Sequence, residues 1–154
     1  MGTTRSPRET TGTQMKIAYQ NVGKGLVATQ EVLTWGAQEG IAVVMIGEMW
    51  EGKWDGSIHR QSHPSYERII VSDDGSVGGY AHRRVAKRVK PAGRGRGWAR
   101  VSVGGYHITE VYGRVDRRKE EELEDAEGWA RGVCSRMGGG PAIILGDFNA
   151  HHVD

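Results

Sequence analysis

The spacing of apolar residues changes several times along the chain, and each change marks a predicted element. Met15-Lys16-Ile17-Ala18-Tyr19-Gln20 alternates apolar and polar positions, as a strand does, and runs into the break Asn21-Val22-Gly23-Lys24-Gly25. Leu26, Val27, Val32, Leu33 and Ala37 then fit one face of a helix that Gly40 ends. Ile41 to Ile46 is a β-branched run suited to a buried strand and far too short for a membrane span, and it delivers Gly47-Glu48 to its C-terminal end. Residues 49–66 hold Trp50, Trp54, His59 and His63 with little periodicity and read as a loop, with the two tryptophans covering a core edge. Pro64 argues against a helix on which His59 and His63 would chelate a metal, so both read as solvated loop histidines.

Antiparallel strands are expected at 68–72, near 85–89, at 99–103 and at 106–112, with Gly104-Gly105 as a tight hairpin turn. Asp116 fits the N-cap of a helix over 117–137, whose apolar stripe includes Leu123, Ala126, Ala130, Val133, Cys134 and Met137. Its acidic residues gather near the start and Arg131 and Arg136 near the end, as the helix dipole prefers. After Gly138-Gly139-Gly140-Pro141, the run Ala142-Ile143-Ile144-Leu145 reads as a buried strand ending in Gly146-Asp147-Phe148-Asn149.

These elements predict a mixed α/β (α+β) domain over residues 15–154, preceded by a Thr-, Ser- and Arg-rich tail at 1–14. The 24 glycines follow no three-residue period, which excludes collagen. Cys134 is the single cysteine, so an intrachain disulfide is excluded. With no signal peptide or spanning segment visible, an intracellular protein, nuclear or cytoplasmic, is expected. Met1-Gly2-Thr3-Thr4-Arg5-Ser6 fits a myristoylation pattern only formally, because no second membrane signal accompanies it.

Net charge is only +2, yet residues 75–109 contain no acid while Arg83, Arg84, Lys87, Arg88, Lys90, Arg94, Arg96 and Arg100 accumulate. A local basic stripe is the footprint of a phosphate backbone, and the glycines around Arg94 and Arg96 would let guanidinium groups reach one. The competing reading is a soluble hairpin with outward Arg and Lys.

Asn21, Glu48, Asp147 and Asn149 all follow predicted strands, the place where α/β sheets put their chemistry. Their oxygens suit Mg²⁺ or Mn²⁺ and not zinc. Gln20-Asn21-Val22-Gly23, Ile46-Gly47-Glu48 and Gly146-Asp147-Phe148-Asn149, in that order, resemble the endonuclease/exonuclease/phosphatase superfamily, which includes the apurinic endonucleases. The endonuclease domain of non-LTR retrotransposons is the nearest flavour, given Lys24 to Thr29, Glu48-Met49-Trp50 and the heptad at 146–152.

The resemblance implies a four-layer α/β/β/α sandwich of which this chain carries one half, with a mixed sheet and helices on the outer face. It implies metal-assisted hydrolysis of a phosphodiester, as in DNA nicking. Glu48, with Asn21, would hold Mg²⁺ or Mn²⁺; Asp147 would orient or deprotonate water; Asn149 would donate to the developing phosphorane. Tyr112 matches the tyrosine of the family's Tyr-x-Pro-Asn element, which here reads Tyr112-Gly113-Arg114-Val115, so Pro and Asn are both replaced. Arg114 then becomes an alternative phosphate contact. The family's second half brings an Asp-His pair that this chain does not reach, and His151 and His152 are not its counterparts. An inner apolar face bared by that loss, around Ile17, Val43 and Ile144, would favour a homodimer and weak or absent activity. The alternatives are a nucleic-acid-binding remnant without catalysis and a phosphomonoesterase.

Overall fold

The computed structural model describes residues 14–113, 131 and 140–147. The predicted helix over 117–137, Cys134, Arg114, Asn149 and the tail to residue 13 lie outside these residues. No helix among the described residues is long and apolar enough to cross a membrane.

The described elements are β1 (Ile17–Asn21), α1 (Leu26–Gln38), β2 (Val43–Gly47), β3 (Gly52–Trp54), β4 (Ser57–His59), β5 (Tyr66–Val71) and β6 (Val77–His82), followed by a 3₁₀ turn at Ala86–Arg88. After it come β7 (Lys90–Gly95), β8 (Trp98–Val103), β9 (Tyr106–Tyr112) and β10 (Ala142–Asp147). Two four-stranded sheets form, ordered β1-β2-β6-β5 and β10-β9-β8-β7, with β3 and β4 as a separate hairpin. Among the described strands only β1–β2 and β9–β10 pair in parallel; each needs an intervening crossover, and α1 supplies the first.

The sheets face each other. Val43 and Met45 from the first pack with Ala99, Val101 and Ile108 from the second, all fully buried. On the outer face of the first sheet, Thr29, Leu33 and Gly36 form one buried stripe of α1, and Leu33 packs with Val44, Ile46, Tyr66 and Tyr80. Burying such a leucine contributes roughly 1.5–3 kcal/mol. The predicted sandwich class therefore holds. One expectation does not: the inner face of the first sheet is covered by a sheet of the same chain, with Val43 at 0% exposure. Ile17 packs against that core, and Ile144 stays 38% exposed on β10. The bared apolar face that would favour a homodimer is thereby replaced by a covered one.

Three local expectations also change. The strand near 85–89 is instead a 3₁₀ turn, because Ala86 and Val89, three apart, both turn into the core. Residues 49–66 contain the β3–β4 hairpin, closed by Asp55-Gly56 with both φ angles positive, 53° and 70°. His63 is buried and not solvated: the Ser65 amide donates to its Nδ1 at 3.1 Å, and its Nε2 lies 3.1 Å from Thr34 Oγ1. Burial, with His82 nearby, pushes its pKa down.

Strand β6 is not among the predicted elements, because Gly78-Gly79 breaks its apolar pattern and glycine is a poor strand former. Its glycines answer to packing instead. A Cβ on Gly78 would lie 2.4 Å from Met49 Sδ, and one on Gly79 would lie 2.9 Å from Met45 Sδ.

Candidate active site

The register of the strands decides which polar residues meet. In the parallel pair β1–β2, Asn21 is opposite Gly47, which places Glu48 one residue beyond. In the parallel pair β9–β10, Tyr112 is opposite Asp147. The two pairs end on the same rim, because the Tyr112 hydroxyl donates to Glu48 Oε1 at 3.0 Å across the gap between the sheets. Asn21, Glu48, Tyr112 and Asp147 are thus brought together by the C-terminal ends of four strands.

Backbone strain concentrates at this rim. Lys24 and Glu48 are two of the three non-glycine residues with positive φ among the described residues, at 59° and 48°. The Lys24 amide donates to the Glu48 carbonyl at 2.7 Å, and the Val22 amide to the Gly47 carbonyl at 3.0 Å. These bonds clamp the turn after β1 to the turn after β2. Asn21 Oδ1 accepts from the Gly23 amide at 2.9 Å, which fixes the asparagine's rotamer. The Gly113 amide donates to the Asp147 carbonyl at 2.8 Å and extends the β9–β10 ladder past the rim. Lys24, Glu48, Trp50, Lys53, Ser76 and Tyr112 line an open recess of about 740 Å³ here.

Behind the rim lie two groups that the sequence reading missed. The Tyr19 hydroxyl is pushed up to about 12, first by burial and then by the negative charge of Glu110, Asp147 and Glu48 and by Tyr112. The Glu110 side chain is fully buried between the sheets, and neither carboxyl oxygen has a hydrogen-bond partner among the described residues. Burial pushes its pKa well up; the Gly78 amide opposes this without reaching hydrogen-bond geometry. The signal was present, since Ile108, Glu110 and Tyr112 share one phase of an alternating strand.

Asp74 forms the wall beside the recess. Its Oδ1 accepts from the hydroxyls of Ser72 and Ser76 and from the Ser76 and Gly97 amides, at 2.8–3.2 Å. Burial alone would raise its pKa, but these donors outweigh it and hold the carboxyl below its ordinary value. Asp74 therefore ties the β5–β6 turn to the β7–β8 turn.

The basic tract is divided by the fold. Strand β6 runs away from the rim, from Val77 opposite Gly47 to Ala81 opposite Val43. Arg83, Arg84, Lys87 and Arg88 consequently lie at the opposite end. There Arg83 Nε donates to the Pro64 carbonyl at 2.7 Å, and Arg84 donates to the Gly40 carbonyl at 3.0 Å. Arg94 and Arg96 return to the rim end through the β7–β8 turn, where Arg94 pairs with Asp73 at 3.3 Å. Arg100 is buried at 2% exposure, donating to Thr109 Oγ1 at 2.8 Å beneath Trp98, and cannot meet a ligand.

Three solved structures share this arrangement of sheets. They are the endonuclease domain of TRAS1, a telomere-specific non-LTR retrotransposon (TM-score 0.57, 19% identity), a humanised D. rerio TDP2 (0.52, 18%) and an AP endonuclease from Archaeoglobus fulgidus (0.51, 14%). Each alignment covers 89% of this chain and 61%, 63% and 58% of the other, so the chain spans about three fifths of their length. No family model matches the sequence, and no curated protein matches it. At these identities the likeness establishes the fold alone, a sandwich of two sheets common to the three solved structures.

Proposed function

We propose that the chain is a metal-dependent phosphodiester hydrolase of the DNA-nicking type, with its scissile phosphate at the rim of Asn21, Glu48, Tyr112 and Asp147. The observation that carries this reading is the Tyr112–Glu48 hydrogen bond, which joins the two sheets where all four strand exits meet. The donor set fits a hard divalent cation. Among the described residues no three His, Cys, Asp or Glu side chains form a cage. Mg²⁺ needs none, since it takes one or two carboxylates and fills its remaining positions with water and substrate phosphate. Glu48 and Asn21 would hold it, and when bound it supplies neutralisation of charge building on the phosphoryl and leaving oxygens.

The chain's own groups divide the remaining work. Asp147 accepts a proton from, or orients, the attacking water. Tyr112, anchored on Glu48, keeps that carboxylate in one rotamer. Asn149, from the same segment as Asp147, donates to the phosphoryl oxygens without adding negative charge. Arg94 and Arg96 stand on the same end and suit flanking phosphates, as would Arg114.

The test is nicking of supercoiled plasmid by the purified chain in Mg²⁺ or Mn²⁺. Nicking that Glu48→Gln abolishes supports the reading; nicking untouched by that change contradicts it. A binding-only role is the second reading, favoured by Arg94 and Arg96 at the rim, and it predicts DNA retention with no turnover in any metal.

A further inference from the structure

The β3–β4 hairpin stands beside the rim and carries chemistry that the proposed hydrolysis does not use. Its register pairs Gly52 with His59 and Trp54 with Ser57, so these four residues share one face while Lys53 and Ile58 take the other. On the first face the Trp54 indole and the His59 imidazole stack in parallel, their centroids 3.6 Å apart and their planes 7° apart. Trp50 leans on Trp54 at 6.3 Å and 44°. Gly52 permits this convergence: a Cβ there would lie 2.4 Å from Trp54 and 2.6 Å from Trp50.

The hairpin nevertheless leaves exposed what it has collected. A two-stranded unit gains stability by hiding its rings, yet Trp54 remains 50% exposed and Ile58 59% exposed. Trp50 and Lys53 line the same recess as Glu48, Tyr112 and Lys24. Lys53 pairs with Glu51 at 3.4 Å, but at 74% exposure that pair constrains the ammonium little. An open indole, backed by a parallel ring and joined to the recess through Trp50, therefore continues the rim outward.

We infer that the β3–β4 hairpin is a stacking arm for an unpaired nucleobase flanking the phosphate held at the rim. The inference rests on the hydrolase reading above, since that reading puts a nucleic-acid strand in the recess. A base laid on Trp54 would extend the Trp54–His59 stack by one ring, and every base has the π face this requires. Lys24, which lines the recess together with Trp50, would meet a phosphate beside that base.

Binding in EDTA, where no turnover occurs, separates the arm from the chemistry. Two probes of equal charge and a length of about 12 nucleotides serve: oligothymidylate, and an oligomer of abasic residues with the same backbone. The intact chain is expected to bind the thymidylate roughly tenfold more tightly and to lose tryptophan fluorescence on doing so. Trp54→Ala abolishes that preference, Trp54→Phe keeps most of it, and Ile58→Ser, on the other face, leaves it unchanged. Should the alanine variant fail to fold, Trp54→Leu, apolar but without a π face, is expected to lose the preference as well. Equal affinity for the two probes, absence of binding to both, or a preference that survives Trp54→Ala or Trp54→Leu overturns the arm. Plasmid nicking that requires Glu48, in a chain with no base preference, would sink the arm and leave the hydrolase reading standing. A Trp54-dependent preference in a chain that never nicks would keep the arm as a binding element and sink the hydrolase reading.

Discussion

The two ends of this sandwich are built from the same strands but use their polar residues differently. At one end Asn21, Glu48, Tyr112 and Asp147 meet around a recess, with two residues held in left-handed backbone and two buried groups, Tyr19 and Glu110, lacking hydrogen-bond partners among the described residues. At the other end Arg83 and Arg84 donate to backbone carbonyls of Pro64 and Gly40, and Arg83 also pairs with Glu67 at 3.2 Å. The second pattern is that of side chains fastening loops. The unpartnered Tyr19 and Glu110 oxygens and two of the three left-handed non-glycine residues among the described residues lie where chemistry is proposed, whereas Arg83 and Arg84 fasten structure.

That contrast can be broken experimentally, and its largest consequence concerns turnover. Asp147→Ala is expected to lower nicking about 10²- to 10⁴-fold while DNA retention on a gel stays unchanged. Equal loss of retention would mean that Asp147 serves binding and not proton transfer. Next in size is the basic tract. Arg94→Ala with Arg96→Ala should weaken DNA binding several-fold and reduce the salt slope by roughly one for each phosphate no longer neutralised. The far-end triple variant Arg84→Ala, Lys87→Ala, Arg88→Ala should change affinity less than about twofold, as scattered surface charge does. If the far-end triple weakens binding more than the rim pair, the division drawn here is wrong.

Tyr112→Phe removes the 3.0 Å bond to Glu48. A neutral donor to a carboxylate contributes about 1.5–3 kcal/mol, so nicking should fall roughly tenfold or more while the fold persists. Unchanged turnover would detach Tyr112 from the site. The smallest effect is a pH dependence. Because the folded pKa of Glu110 lies above its ordinary value, its contribution to stability is fully present below about pH 4.5 and is lost as pH rises toward the raised value. Denaturation midpoints should accordingly show Glu110→Gln gaining on the parent chain as pH increases through that window. A constant difference across pH would show that Glu110 is not held neutral.

Much of this site was legible in the residues because it depends on strand exits. The alternation at 15–20 and the apolar runs at 41–46 and 142–145 locate three strands, and their parallel partnerships carry the residues after them to one rim. Tyr112 followed from the resemblance, although its Pro and Asn companions are replaced. What could not be read was pairing. The Arg83–Arg100 tract looks continuous in sequence, but β6 and β7 send its members to opposite ends and β8 buries Arg100. Strand β6 went unpredicted because nothing local to Gly78-Gly79 reveals the methionine sulfurs that demand glycine there. The β3–β4 hairpin was misread although Asp55-Gly56 announces it, because strands of three residues show no usable period. The covered inner face was missed for a similar reason: long-range pairing of β10 with β9 adds to the β7-β8-β9 strands and completes a second sheet that no single segment declares.

The central claim is that Glu48 and Asn21 face one cation position at the rim. Anomalous diffraction from crystals soaked in Mn²⁺ tests it most directly. A single strong peak is predicted within coordinating distance of Glu48 and beside Asn21, absent in Glu48→Gln. No peak at the rim, or one that persists there in Glu48→Gln, would contradict it.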